Sequence, residues 1–213
     1  MNIQIWSDVL CPFCYIGKRR LEFAIQQFPL KNSLTIEWKS FQLNPYLKTN
    51  TLRTVFEQLA EEKGWTLEYA TQMHQYVTDL AATVGITFNF YQAVVANSFD
   101  AHCLLQLAKS EGVGGEVKEA LFNAYFCEGI NIADREELYT LGVESGMKAA
   151  TIQSAFEDPL YSSRIQEDIA EAAKLGIRAV PHFIFDQTYS ISGAQDIRVF
   201  ESVLAQTIQG KNA

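Results

Sequence analysis

Residues 9–18 read Val-Leu-Cys-Pro-Phe-Cys-Tyr-Ile-Gly-Lys and contain two of the chain's four cysteines. The preceding segment, residues 2–6, alternates like a buried strand. The following segment, residues 12–28, has the apolar spacing of a helix that ends before Pro29. The Cys-x-x-Cys pair is therefore predicted to lie where a strand runs into a helix. Two thiols at such a junction suit either disulfide exchange or one half of a metal site.

The predicted helix gives the two thiols different roles. If Cys11 caps the helix, Pro12 occupies its first turn, where a missing N–H costs nothing. The positive helix end would favour the Cys11 thiolate, so we expect the pKa of this thiol to lie below the free value of about 8.5. Cys14 would lie one turn further on, close enough to form a disulfide with Cys11 and to resolve a mixed disulfide. The basic run at residues 18–20 is expected to be a solvated face.

The other cysteines argue against zinc. A structural zinc site needs four ligands, and one Cys-x-x-Cys supplies two. Cys103 and Cys127 are isolated and fall on apolar helical stripes, so they are predicted to be small buried side chains. A second redox couple between these two remains an alternative. We therefore predict no metal site and place the chemistry at Cys11 and Cys14.

The spacing of apolar residues divides the rest of the chain into helical and strand segments. From about residue 51 to residue 176 the spacing is helical, and a last helical stripe follows residue 196. Three segments have the pattern of short strands: residues 34–41, 182–185 and 189–192. The last two are joined by a predicted turn at residues 186–187.

These elements predict an α/β chain with the order β-α-β, a large all-helical insertion, and then β-β-α. Without the insertion, four strands and their flanking helices would remain as one sheet. We expect residues 1–44 and 177–213 to form one domain and residues 45–176 to form the inserted helical domain.

Composition excludes several classes of function. The formal net charge is −8 and the pI is about 4.9, so the surface would repel nucleic acid and anionic membranes. No apolar run approaches the roughly 20 residues that a membrane span needs. The chain starts directly with a strand pattern and not with a signal peptide, so we expect a cytoplasmic location. The oligomeric state stays open.

A second motif, Arg-Ala-Val-Pro-His-Phe, occupies residues 178–183. Pro181 opens a predicted strand, which is an allowed position for proline. Two interpretations remain open on these residues alone. The proline could be an ordinary trans proline at a loop end. Alternatively, a cis Val180–Pro181 bond could lie beside the cysteine pair and leave the Val180 backbone free to bind a substrate strand.

Together, in this order, the two motifs resemble the thioredoxin superfamily. The specific likeness is to DsbA-family thiol–disulfide oxidoreductases of the FrnE-like branch, which have a large helical insertion. It extends over nearly the whole chain and is carried by residues 5–8, 11–18, 40–43, 97–102, 104–105, 124–126, 128–129, 180–181 and 192–195. Cys103 departs from the family pattern, which has a basic residue there. The resemblance implies a thioredoxin-like fold, with Cys11 as the attacking thiolate and Cys14 as the resolving thiol.

The resemblance also implies a substrate cleft beside a cis peptide bond. Its walls would be formed by Pro12, Phe13, Val180 and Pro181. Three residues of the insertion would overhang the cleft: Asn97, Phe99 and His102. His182 stands where the family has an apolar side chain. It would tune the Cys11 thiolate if it pointed inward, and its pattern otherwise fits a partly exposed strand residue.

The implied activity is that of a cytoplasmic protein-disulfide oxidoreductase. Its substrate would be a disulfide-containing protein or a small thiol, with glutathione as a co-substrate and no tightly bound cofactor beyond the dithiol. Two alternatives remain. Glutathione-dependent 2-hydroxychromene-2-carboxylate isomerases and kappa-class transferases share the scaffold, but they use a serine at the first cysteine position. A non-catalytic module would hold a peptide or a small molecule.

Overall fold

The computed structural model describes residues 1–209, so residues 210–213 of the predicted first domain lie outside the described part. The strands, in chain order, are β1 (Asn2–Ser7), β2 (Thr35–Ser40), β3 (Asn50–Thr54), β4 (Val94–Val95), β5 (His182–Phe185) and β6 (Tyr189–Ser192). Four of them form the main sheet, in the order β2-β1-β5-β6. The four-stranded sheet expected from the sequence is thus confirmed.

The strand register places the carboxyl end of β1 at the centre of the sheet. β1 pairs with β2 in parallel, with Ile5 opposite Trp38. On its other side β1 pairs antiparallel with β5, with Trp6 opposite His182. Because both neighbours are hydrogen-bonded to it, β1 is a central strand, and its inward apolar side chains are fully buried.

Nine helices surround the sheets within residues 1–209. In chain order they are α1 (Pro12–Gln26), α2 (Val55–Lys63), α3 (Leu67–Ala82), α4 (Phe99–Glu111), α5 (Gly114–Asn123), α6 (Arg135–Glu144), α7 (Ala149–Ala155), α8 (Pro159–Lys174) and α9 (Ile197–Gln209). A π-helical turn, Ala124–Glu128, extends α5. No helix in this described part is both long and apolar enough to cross a membrane.

The insertion is not entirely helical, so that part of the prediction is wrong. β3 and β4 pair antiparallel inside it. Leu52, which the apolar spacing assigns to a helix, lies on β3 with 97% of its surface exposed. The reason is the cap that follows: Thr54 and Glu57 form a reciprocal capping box at the start of α2. This cap starts the helix at Val55 and leaves the residues before it extended.

Inserted helices and the main sheet share one apolar core. Buried hydrogen bonds also join them. The Trp6 indole N–H donates to the Asp168 carbonyl on α8 at 3.0 Å. The Asp168 carboxylate accepts from the Ser40 N–H at 2.8 Å and from the Gln106 side chain at 2.7 Å. The insertion therefore packs closely against β1 and β2, beside the cysteine pair.

Candidate functional site

Cys11 and Cys14 lie where β1 passes into α1. Cys11 is the N-cap residue with an extended backbone, and Pro12 follows in the first helical turn. The Cys14 N–H donates to the Cys11 carbonyl at 2.9 Å and closes that turn. Both thiols are free and buried, with 4% of Cys11 and 1% of Cys14 exposed. The predicted strand–helix junction is confirmed.

A cis Val180–Pro181 bond faces the cysteine pair, as the resemblance implies. The Cys11 thiol donates to the Val180 carbonyl at 3.5 Å, so this peptide lies directly against the first cysteine. Pro181 also packs against α1. A Cβ atom on Gly17 would lie 3.0 Å from Pro181 Cγ and 3.1 Å from Phe183 Cζ. Glycine at position 17 is therefore what allows the helix to approach this wall closely.

The accessible part of the motif lies between the two sulfurs in sequence. Pro12 is half-buried, and Phe13 is 37% exposed. Val180 and Pro181 are buried. Pro12 and Phe13 are therefore the residues of the Cys-x-x-Cys motif that solvent reaches most readily. The roles of these residues in a substrate cleft remain predictions.

The surroundings of Cys11 oppose its ionisation. The hydrogen bond with Cys14, burial, and the charges of Cys14 and Asp8 raise the pKa of Cys11 well above its ordinary value. The expected lowering of this pKa is therefore contradicted. The helix N-terminus acts in the favourable direction, but a desolvated thiol beside a second thiol and a carboxylate is harder to ionise. The sequence indicates the helix end, whereas the depth of burial appears only in the fold.

A buried acid–base pair adjoins the cysteines. His102 Nε2 lies 3.2 Å from Asp8 Oδ1, and both side chains are fully buried. The other Asp8 oxygen accepts from the Leu43 N–H at 2.7 Å. Burial raises the pKa of Asp8, but the hydrogen bond and charge of His102, together with the Leu43 N–H, outweigh burial and lower it. His102 therefore does not line an open cleft. It is covered on every side because α4 packs its buried face against the junction.

Two other predicted cleft residues have local structural roles. The Asn97 side chain donates to the Leu47 carbonyl at 2.7 Å, and its oxygen accepts from the Phe99 N–H at 2.8 Å. Asn97 thus ties the chain before β3 to the start of α4. Phe99 packs, partly buried, against the core. A role for either residue in substrate binding remains a prediction.

His182 is the partly exposed strand residue that its pattern indicates. It lies on β5, opposite Trp6 and Ser192. Burial lowers the pKa of His182, so the ring is neutral at neutral pH. A neutral ring supplies no positive charge with which to tune the Cys11 thiolate.

The basic run on α1 is not a solvated face, contrary to expectation. Lys18 is 6% exposed. Its ammonium pairs with Glu22 at 2.6 Å and also with Glu119 on α5. Arg19 pairs with the same Glu119 at 2.6 Å, and the Tyr15 hydroxyl donates to it at 2.7 Å. The insertion supplies the carboxylate that makes burial of these cations favourable.

Lys118 is a buried residue that the sequence patterns did not single out. Its side chain is fully buried, and its ammonium lies 4.5 Å from the centre of the Phe122 ring and 5.4 Å from that of Trp38. Within residues 1–209 it has no hydrogen-bond partner. The sequence feature that could have identified it is a lysine on the apolar face of α5, between Val117 and Leu121 in the chain.

The remaining cysteines, Cys103 and Cys127, are also free thiols and lie outside the Cys-x-x-Cys motif. Cys103 is buried, as predicted, and burial raises its pKa to about 12, which makes it a poor nucleophile. Cys127 is only half-buried, so the prediction that it is a buried side chain is wrong. Among residues 1–209, no group of three or more histidine, cysteine or acidic side chains is arranged to hold a metal ion.

Known proteins share this architecture over most of their length. Residues 2–205 match the family described as DSBA-like thioredoxin domain. The crystal structure of a probable DsbA oxidoreductase from Streptomyces coelicolor has a TM-score of 0.91 and 32% identity, covering 98% of this chain and 90% of that one. The uncharacterized protein YwbO of Bacillus subtilis is 29% identical over an alignment of 213 positions that covers 96% of this chain and 96% of that protein.

Two more distant structures share the fold alone. The cytosolic disulfide reductase DsbM from Pseudomonas aeruginosa, solved with glutathione, has a TM-score of 0.69 at 17% identity and covers 98% of this chain and 100% of that one. A 2-hydroxychromene-2-carboxylate isomerase has a TM-score of 0.71 at 18% identity and covers 100% of this chain and 98% of that one. The thioredoxin-like fold is thus confirmed, and with a match over residues 2–205 the chain belongs to the DSBA-like thioredoxin domain family.

Proposed function

We propose that this protein is a thiol–disulfide oxidoreductase that acts through Cys11 and Cys14. The observation that carries the proposal is the position of the pair. Both thiols lie at the start of α1, and the Cys11 thiol is 3.5 Å from the carbonyl of Val180 in the cis Val180–Pro181 peptide. Membership of the DSBA-like family supports oxidoreductase chemistry at this position.

The reaction transfers two electrons between the dithiol and a substrate disulfide. The Cys11 thiolate attacks one substrate sulfur, and the substrate S–S bond breaks as a mixed disulfide forms. The second substrate sulfur leaves as a thiolate and takes up a proton. Cys14, as thiolate, then attacks Cys11 Sγ, which forms the Cys11–Cys14 disulfide and releases the reduced substrate. Oxidation of a substrate dithiol is the same sequence in reverse.

The contact between Cys11 and Val180 couples the first step to substrate binding. In the resting structure the Val180 carbonyl accepts from the Cys11 thiol. Once Cys11 loses its proton, this carbonyl can accept an N–H from an extended substrate segment instead. The protein would therefore exchange one hydrogen bond for another as the nucleophile forms. Because the raised pKa of Cys11 disfavours the thiolate in the resting state, we expect substrate contacts to promote its formation.

The partners we propose are a disulfide-containing protein or a small thiol, in a cytoplasmic setting. Glutathione as a co-substrate is supported by the glutathione complex of a protein with the same fold. The complete pair favours redox exchange over the isomerase and transferase alternative, which uses serine at the first position. It also disfavours a non-catalytic binding module, which has no need of two thiols at this junction.

Insulin reduction in the presence of glutathione tests the proposal. The variant Cys11→Ser should fall to the uncatalysed rate because the attacking sulfur is absent. Cys127→Ser, which removes a half-buried cysteine outside the pair, should retain activity. Full activity of Cys11→Ser would contradict the proposal. Glutathione-dependent turnover of an electrophile that survives Cys14→Ala would instead favour the isomerase and transferase alternative.

A further inference from the structure

Lys118 is a buried cation that the proposed exchange leaves unused. Its side chain is fully buried, and no residue in the described part of the chain offers its ammonium a hydrogen bond. Its close neighbours are the rings of Phe122 and Trp38. Burial of an ammonium without a hydrogen-bonded partner costs free energy, so a function would explain why a lysine occupies this position.

A continuous set of contacts connects Lys118 with the cysteine pair. The ammonium lies 4.5 Å from the centre of the Phe122 ring. That ring stacks on Tyr15, with centroids 4.9 Å apart and an interplanar angle of 13°. Tyr15 is the residue after Cys14 on α1. On the other side Lys118 lies over Trp38, which pairs with Ile5 on β1. Lys118 therefore contacts Phe122 of its own helix and Trp38 on β2, and these two rings connect it to α1 and β1, the elements that meet at the cysteine pair.

The charges that act on Lys118 are those of the redox site. Burial lowers the pKa of Lys118 to about 8, while the charges of Cys14, Asp8 and Cys11 raise it, in that order of strength. Lys18 is the nearby cation that lowers it. At neutral pH the side chain is therefore mostly an ammonium, and the sulfur with which it interacts most strongly is that of Cys14.

In the resolving step Cys14 is the sulfur that must carry the negative charge. Only 1% of its surface is exposed, so the thiolate that attacks the mixed disulfide has little contact with water. Once Cys11 is bonded to a substrate, it carries no charge. Asp8 is an anion and opposes a second negative charge nearby.

We propose that Lys118 is a positioning residue for the resolving step, in which its ammonium stabilises the buried Cys14 thiolate. This inference rests on the proposed function. The Cys14 thiol releases its proton, and the positive charge of the ammonium acts on the thiolate that forms. Its electron pair attacks Cys11 Sγ, the bond between Cys11 and the substrate breaks, and the substrate leaves as a thiol after taking up a proton. Lys118 keeps its own proton throughout.

The test measures how fast the mixed disulfide resolves. Reduced protein is mixed with oxidised glutathione and quenched with acid, and the glutathionylated species is followed by mass spectrometry. Cys14→Ala provides the fully trapped reference. We expect resolution in Lys118→Met to be at least about tenfold slower at pH 7, because one opposite charge beside a buried acid changes its ionisation by that factor or more. Resolution should recover as the pH rises toward 9.

Matched variants separate this role from a structural one. Lys109→Met removes a partly buried lysine of the same insertion, one that interacts with Asp168. The mixed disulfide of this variant should resolve at the wild-type rate. Lys118→Gln keeps a polar side chain but removes the positive charge, so its mixed disulfide should resolve as slowly as that of Lys118→Met. Removing a buried charge seldom prevents folding, and thermal melting checks that each variant is folded.

The outcomes distinguish the two proposals. Wild-type resolution at pH 7 in both Lys118 variants would overturn the role of Lys118 alone. The same conclusion would follow if their resolution were slow but no faster at pH 9, since a structural defect is not relieved by deprotonation. If Cys14→Ala trapped no mixed disulfide, the exchange mechanism itself would fail, and the role of Lys118 with it.

Discussion

A single carboxylate opposes ionisation of the proposed nucleophile. Asp8 lies three residues before Cys11, and its backbone carbonyl accepts the Cys11 N–H at 3.2 Å. Its side chain is held by His102 and the Leu43 N–H, so it remains an anion inside the protein. Its charge is one of the causes that raise the pKa of Cys11. Asp8 thus helps to fix the loop that carries Cys11 and at the same time restrains the reactivity of this thiol.

Replacement of Asp8 by asparagine should make Cys11 more reactive. The change keeps an oxygen for the Leu43 N–H but removes the negative charge, so the pKa of Cys11 should fall. We expect alkylation of Cys11 by iodoacetamide at pH 7 to become about three to ten times faster, because a lower pKa leaves more of the thiol ionised. Asp79→Asn, which removes an exposed carboxylate on α3, is the control. Unchanged or slower alkylation in folded Asp8→Asn would refute this account.

At the scale of the element, α1 connects several walls of the site. Its first turn carries the cysteines, and Gly17 in its second turn allows Pro181 to approach. The Arg20 guanidinium donates to the Ala194 carbonyl at 2.6 Å, just beyond β6. Because α1 contacts both the cis-proline peptide and the chain after β6, a displacement of this helix would move the cysteines relative to Val180.

Substitution of Gly17 by valine should destabilise the protein and impair disulfide exchange. A Cβ atom would meet ring atoms of Pro181 and Phe183, and neither ring can move freely in the core. Overpacking of this kind costs about 1–3 kcal/mol of unfolding free energy, which denaturant titration would measure. Gly115→Val is the matched control, since a Cβ there meets no atom within 4 Å. We expect it to change stability by less than about 0.5 kcal/mol. Equal stability of the two variants would be inconsistent with close packing at Gly17.

Across the whole molecule, buried or half-buried carboxylates join the insertion to the main sheet and to α1. Asp168 on α8 binds the Ser40 N–H, Asp8 pairs with His102 on α4, and Glu119 on α5 pairs with Lys18 and Arg19. Each contact connects segments far apart in sequence. Protonation of such carboxylates weakens the connection, so the assembly of sheet and insertion should depend on pH.

Acid should therefore reduce stability, in part through Glu119. Burial raises its pKa, but hydrogen bonds from Lys18 and Tyr15 and the charges of Lys18 and Arg19 lower it below the ordinary value. A lowered folded-state pKa contributes stability above the unfolded value of about 4.3, and this contribution disappears as pH falls through the folded-state pKa. We expect Glu119→Gln to have a lower Tm than wild type at pH 7, with the difference shrinking by pH 3. Glu144→Gln removes an exposed carboxylate and should match wild type. A difference between Glu119→Gln and wild type that is independent of pH would exclude this linkage.

Predictions from the sequence succeeded where neighbouring residues decide the structure. The junction at Cys11, the four strands of the main sheet and the buried Cys103 follow from local period, caps and side-chain type. Predictions failed where contacts distant in sequence decide. Lys18 is buried opposite Glu119, and His102 is enclosed where α4 packs against the junction and pairs it with Asp8. The domain division at residues 44 and 177 remains a prediction, and limited proteolysis would test it.

The sequence by itself determined the α/β order, the two thiols at a helix start and the proline motif of the facing wall. These features depend on hydrophobic period and on the backbone preferences of nearby residues. Only the tertiary structure decided the electrostatics of the site, including the raised pKa of Cys11, the anion at Asp8 and the buried ammonium of Lys118. Ionisation depends on desolvation and on charges within a few ångströms, and residues more than 100 positions apart meet at those distances only after folding.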